Sequence, residues 1–211
     1  MNENLFGEII IRSVSFNEEE IIKNMIDLYL GNKTIELDPT FSIGAFYNGL
    51  RKPKYKFDIE PFSKDVKKSD CRDLPFSEES IKSIMFDPPF VGGSRAEGKP
   101  GIIKSRFGYY KSIPELWKFY EDSLKEFYRI LMKEGFLFFK CQDSIESGKQ
   151  YLTHVFIINK ATEIGYYAKD LFVYAVKDRI IDPSIKQQYH ARKFHSYFIV
   201  FQKTKNKVHY N

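Results

Sequence analysis

The stretch Ser83-Ile84-Met85-Phe86-Asp87-Pro88-Pro89-Phe90 restricts this chain more than any other. Ile84, Met85 and Phe86 form an apolar run suited to a short buried strand. Pro88 and Pro89 lack backbone donors and hold φ at about −65°, so the ladder must stop there and the chain must turn out of the sheet at Asp87. A residue that precedes proline is pushed into extended backbone, which fixes the carbonyl directions of Asp87 and Pro88. A carboxylate and a rigid carbonyl beside the flat ring of Phe90 suit a planar base that carries an exocyclic amine. Asp87 and the Pro88 carbonyl can accept its two N–H bonds while Phe90 stacks on the ring, and accepting both protons turns the nitrogen lone pair towards an incoming electrophile. Taken alone, the same residues also describe a strand followed by a Pro-Pro turn. The remaining sequence has to separate the two.

Three further acids are expected at the ends of short strands. Thr34 to Leu37 reads as a strand stopped by Asp38-Pro39, and Ser42 and Gly44 put small residues in the following turn. Without side-chain bulk, the backbone N–H groups of such a turn can approach a ligand closely. Tyr55 to Asp58 is a second strand ending in an acid, about 20 residues beyond Asp38, the spacing at which doubly wound folds place the carboxylate that holds ribose hydroxyls. Asp70, followed by Cys71, is a third, and Asp87 is the fourth. Ligands of open α/β sheets bind at the carboxyl ends of the strands, so the four acids converge on one crevice.

These segments carry a family resemblance. Asp87-Pro88-Pro89-Phe90 resembles the catalytic motif of amino-group methyltransferases that use S-adenosylmethionine, in the acid-Pro-Pro-aromatic form similar to small phage-type DNA adenine-N6 enzymes. The stretch from Asp38 to Gly44 resembles motif I of class I methyltransferases, with one glycine where the usual pattern has two, and Leu74-Pro75-Phe76 resembles the segment that leads to the catalytic strand. The resemblance covers Thr34 to Lys203. It implies an α/β, Rossmann-like class I methyltransferase fold: a seven-stranded, mostly parallel sheet with an antiparallel final strand and helices on both faces. It also implies S-adenosyl-L-methionine held by Asp38, Pro39, Thr40, Phe41, Ser42, Gly44, Asp58, Asp70 and Cys71, with catalysis at Asp87, Pro88, Pro89 and Phe90. The expected reaction is methylation of an exocyclic base amine in DNA, adenine N6 first. An RNA guanine-N2 methyltransferase is the alternative, because small single-domain enzymes of that kind share the Asp-Pro-Pro-Phe corner. A non-catalytic nucleic-acid-binding relative is a third reading, opposed by the intact corner.

The other segments are expected to support this core within one domain of 211 residues. Residues 1–33 form an arm and a helix, with Leu5 to Phe16 as a peripheral strand or arm, Asn17 as N-cap, Glu18 to Glu20 in the first turn and Gly31 at the close. Residues 91–112 form a loop rich in Gly, basic and aromatic residues. It is either a solvated surface loop or a substrate loop whose Lys104, Arg106, Phe107, Tyr109 and Tyr110 contact nucleic acid over the target base. A helix is expected from Pro114 to Met132, ended by Gly135, then a fifth strand over Phe136 to Phe139 with Lys140 to Asp143 at its exit, either lining the crevice or capping. A helix over Thr153 to Thr162 and strands over Asp170 to Val176 and Ser196 to Gln202 complete the core. His190 and His195 lack a metal-ligand spacing, and no metal is expected.

Lys and Arg exceed Asp and Glu by 5, which permits a polyanionic partner without requiring one. Cys71 and Cys141 with no signal-like start fit free thiols in a cytoplasmic protein. No apolar run approaches the roughly 20 residues that span a bilayer, so no membrane is expected. A large target-recognition domain has no room here, which leaves a very short site, low specificity or a separate specificity partner.

Overall fold

The computed structural model describes residues 10–90, 110–177 and 187–205. Along the chain these form β1 (Val14–Ser15), α1 (Glu18–Leu30), β2 (Leu37–Asp38), β3 (Tyr55–Asp58), β4 (Lys67–Lys68), β5 (Ile81–Phe86), α2 (Ile113–Ile130), β6 (Leu131–Cys141), β7 (Ser144–Glu146), β8 (Lys149–Tyr151), α3 (Thr153–Ile164), β9 (Tyr167–Ala175) and β10 (His195–Gln202). The strands β1-β9-β10-β6-β5-β2-β3-β4 make one sheet in that order, and β7 and β8 form a separate hairpin. Every neighbouring pair in the large sheet is parallel except those of β10, which runs antiparallel to both β6 and β9.

Alternation across the pleat explains why the central strands carry unbroken apolar runs. Ile84 and Phe86 of β5, Leu137 and Phe139 of β6, and Ile199 and Phe201 of β10 face α2 and α3, whereas Met85, Phe138, Phe198 and Val200 face α1. Both faces are therefore covered. Phe86 meets Phe127 and Phe139 edge-on at centroid distances of 4.8 and 4.9 Å, which anchors the strand that delivers Asp87.

Two helix starts follow their sequence signals. The Asn17 side chain accepts from the Glu20 N–H at 3.3 Å, and Ser112 accepts from the Glu115 N–H at 3.3 Å. Gly31 leaves α1 in the left-handed region at φ 56°. Replacing Asn17 with Ala should cost about 1 kcal/mol, read as a lower urea midpoint with an unchanged slope; an unmoved midpoint would mean that the cap contributes nothing.

Three expectations need correction. The sheet has eight strands, because Val14–Ser15 pairs in parallel with Val173 and Tyr174 at the edge. The strand before the first acid is only Leu37–Asp38, so Asp38 belongs to the ladder and does not follow it. Gly135 does not end a helix: α2 stops at Ile130, Leu131 already has extended backbone, and Gly135 lies in β6. A side chain at Gly135 would begin 2.9 Å from the Met132 carbonyl and 3.0 Å from that of Lys82, so close backbone approach explains the glycine.

Candidate active site

The parallel strands β2, β3, β4 and β5 bring the four acids to one edge, at their carboxyl ends. A cleft there is lined by Pro39, Thr40, Ser42, Asp58, Ile59, Asp70, Cys71, Arg72, Asp87, Pro89, Tyr110 and Phe119. The acids differ in what they do.

Asp38 lies beneath the cleft and does not line it. Its Oδ1 accepts from the Thr40 N–H and hydroxyl at 2.8 and 3.2 Å, and its Oδ2 accepts from the Tyr47 hydroxyl at 2.7 Å. Burial pushes its carboxyl up to about 7 against the pull of these donors. Through Thr40 it is linked to the acid-Pro-Pro-Phe corner, since the Thr40 hydroxyl in turn accepts the Asp87 N–H at 3.2 Å.

Asp58 is buried and binds the loop between β2 and β3: Oδ2 accepts from the Ser42 N–H at 2.8 Å and Oδ1 from the Glu60 N–H at 2.9 Å. Each oxygen keeps a second lone pair for a ligand hydroxyl. The same loop is not an open nest of donors. The N–H groups of Thr40, Phe41, Ser42 and Gly44 all bond within the protein, that of Phe41 to the Phe57 carbonyl and that of Gly44 to the Phe41 carbonyl. What the loop offers to the cleft is Pro39, Thr40 and Ser42. Phe41 is tucked inward against Tyr47, with ring centroids 5.7 Å apart, and a Cβ on Gly44 would sit 2.4 Å from the Phe41 ring. With φ at 70° as well, Gly44 shapes the loop from behind the cleft.

Asp70 is paired with Arg72, whose guanidinium reaches both oxygens at 2.6 to 3.2 Å and holds the carboxyl below its ordinary range. Cys71 beside it is free, and burial pushes its thiol up to about 12. The segment after them is tied down by α2: the Leu74 N–H donates to Glu126, and Arg129 donates to the carbonyls of Leu74 and Phe76. Phe119 and Tyr110 close this side, their ring centroids 5.3 Å apart. Tyr110 thus lies at the cleft beside the Asp70–Arg72 pair. Lys104, Arg106, Phe107 and Tyr109 lie outside the described residues.

Asp87 leaves β5 with its side chain 27% exposed to the cleft. The Tyr120 hydroxyl donates to the Pro89 carbonyl and so fixes the corner after Pro88, which is buried, while Phe90 is half-buried. Lys140 approaches Asp87 to 3.3 Å and also pairs with Glu18. Burial raises the Asp87 carboxyl above its ordinary range, and the Lys140 ammonium opposes that rise. The Lys140–Glu18 link was not readable from spacing. Glu18 carries the signal of a helix first turn, and Lys140 only that of a strand exit.

His190 and His195 engage the Gly148 carbonyl and the Tyr197 hydroxyl, each at 3.0 Å. Among the described residues no group of His, Cys, Asp or Glu could hold a metal, and no helix is long and apolar enough to cross a membrane.

Several solved structures are similar to this one. The cytosine-N4-specific DNA methyltransferase PvuII superposes with a TM-score of 0.50 at 17% identity, covering 74% of this chain and 54% of that one. An S-adenosylmethionine-dependent methyltransferase of Thermotoga maritima gives 0.50 at 15% identity, with 88% and 87% covered. The Thermus thermophilus protein TTHA0409, solved with S-adenosyl-L-methionine, gives 0.46 at 15% identity, with 68% and 56% covered. The chain spans about half the length of the PvuII and Thermus chains. At such identities the likeness to PvuII and to the Thermotoga protein shows the class I methyltransferase fold. No curated protein matches in sequence. The family model described as DNA methylase matches residues 81–211, from the first residue of β5 onward. That match takes in the acid-Pro-Pro-Phe corner and more than half of the chain, which therefore belongs to the DNA methylase family.

Proposed function

We propose that this chain transfers a methyl group from S-adenosyl-L-methionine to an exocyclic amine of a base in DNA, adenine N6 first. The observation that carries the reading is the placement of Asp87, the acid that opens the acid-Pro-Pro-Phe corner, in the same cleft as Asp58 and Asp70. When bound, S-adenosylmethionine supplies an electrophilic methyl carbon. The cleft fits such a cofactor: Asp58 offers lone pairs to ribose hydroxyls, and Ile59, Phe119 and Tyr110 offer apolar and aromatic surface to the adenine.

The chain's own part is to orient the target amine. Asp87 and the Pro88 carbonyl accept its two N–H bonds, so the nitrogen lone pair points into the cleft, and Phe90 stacks on the base. The amine is itself the nucleophile, so the rate comes from positioning and fixed charge and requires no covalent intermediate. Asp87 can then receive the proton that the methylated amine releases. A base in duplex DNA must first leave the stack to reach this corner.

Cytosine N4 is the second reading, favoured by the likeness to PvuII. Its amine presents the same two N–H bonds to the same acceptors. The test is transfer from labelled S-adenosylmethionine to unmethylated DNA and to ribosomal RNA, followed by nucleoside analysis. N6-methyladenine in DNA is the expected product, and N4-methylcytosine would move the assignment to the second reading. N2-methylguanine in RNA, or no product, would overturn the DNA reading.

A further inference from the structure

Asp87 shares its corner with an ion pair that reaches the opposite end of the sequence. Lys140, near the carboxyl end of β6, places Nζ 3.3 Å from Asp87 Oδ1 and 2.7 Å from Glu18 Oε1, with its side chain 11% exposed. Glu18 comes from the first turn of α1. Three rings surround the ammonium, with centroids at 5.1 Å for Phe46, 5.4 Å for Phe90 and 5.7 Å for Phe198. Lys140 does not line the cofactor cleft. A lysine so enclosed loses most of its water, and it is retained only where anions and ring faces replace that water.

We propose that Lys140, anchored by Glu18, is a positioning residue that fixes the Asp87 carboxylate as the acceptor for the target amine. The inference rests on the reading of Asp87 as that acceptor. A carboxylate offers lone pairs only, whereas a protonated carboxyl turns an O–H donor towards an amine that also donates. The surroundings of Asp87 otherwise favour the protonated form. Burial and the charge of Glu18 on α1 both raise its carboxyl, and the Asp87 charge in turn raises that of Asp38 on β2. Tyr47, after β2, and Tyr120, on α2, face it as neutral hydroxyls held far above their ordinary range by burial. Lys140 is the cation that opposes these effects, and it stays charged because Asp87 and Glu18 outweigh its own burial. Contact with Phe90 lets the same ammonium set the stacking ring relative to the carboxylate.

The sign follows. A raised carboxyl is protonated over more of the pH range, so without Lys140 the acceptor is lost on the acid side first. Lys140→Met should move the Asp87 side-chain carbon titration, read by NMR, upward by about one pH unit or more, tenfold in the ionisation constant. Lys140→Arg, which keeps the charge, should leave it within about half a unit. In parallel, the acid limb of kcat for methyl transfer should move up with Lys140→Met, so that the rate at about pH 6 falls about tenfold more than at about pH 8.5. Affinity for S-adenosylmethionine, by calorimetry, should stay near that of the unmodified protein in both variants, which also reports folding. An unmoved Asp87 titration in Lys140→Met, or a loss of rate equal at every pH, overturns the inference. If the titration moves while the unmodified protein methylates no nucleic acid, the function proposed above fails and the ion-pair device stands.

Discussion

Asp87→Ala is expected to lower methyl transfer by about 10³-fold while S-adenosylmethionine affinity changes by less than about threefold. The size follows from what the side chain supplies. On the function proposed above, it is one of the two acceptors that turn the amine lone pair into the cleft, and it is the base that takes the departing proton. Losing a preorganised partner of the reacting group typically costs about 10²- to 10³-fold, and losing proton acceptance adds to that. The fold should tolerate the change, because Lys140 keeps Glu18 at 2.7 Å and is not left as an unpaired buried charge. Asp87→Asn preserves one acceptor oxygen but presents an N–H donor and cannot take a proton, so its loss should fall between Ala and the native residue. Steady-state rates on unmethylated DNA with calorimetry of the cofactor check this. Transfer surviving Asp87→Ala at more than about a tenth of the native rate would remove the carboxylate from the chemistry.

The parts of the fold that follow a period were legible in the sequence. Short apolar runs broken by acids located β2, β3 and β5, whereas β4, Lys67–Lys68, carries no such run and ends two residues before Asp70; Asp58, Asp70 and Asp87, at or just beyond the carboxyl ends of parallel strands, meet in one cleft. The cap at Asn17 located the start of α1, and Pro114 located that of α2. Less legible were features that depend on a partner far along the chain. Lys140 meets Asp87 across 53 positions, and Glu18 joins them from still further away. No local pattern encodes that triad. Gly135 misled for a related reason: a glycine just past a helix reads as its stop, whereas here it is required by the Met132 and Lys82 carbonyls inside a strand. The loop after Asp38 shows the same limit. Its small residues were readable, but the direction of its N–H groups was decided by Asp58 and the Phe57 carbonyl on the neighbouring strand. The sequence also could not show that Asp70 is engaged by Arg72, although the two are only two residues apart.

Asp58→Ala is expected to weaken S-adenosylmethionine binding by about 100-fold, and Asp70→Ala by less than about tenfold. A hydrogen bond to a charged group contributes about 1.5 to 3 kcal/mol, and about 2.7 kcal/mol corresponds to 100-fold, so one or two bonds from Asp58 to ribose hydroxyls account for the loss. Its removal also strips the Ser42 and Glu60 N–H groups of their acceptor, which loosens the loop that presents Pro39, Thr40 and Ser42. Asp58→Asn should not rescue binding, because one side of the amide would turn N–H against N–H at Ser42 or Glu60. Asp70, by comparison, already directs both oxygens at Arg72 and is partly exposed to water, so less of its charge is available to a ligand. Calorimetric titration with S-adenosylmethionine needs no knowledge of the nucleic-acid substrate. Asp58→Ala binding within about threefold of the native protein would place the ribose elsewhere in the cleft, and a larger loss at Asp70 than at Asp58 would exchange the roles of the two acids.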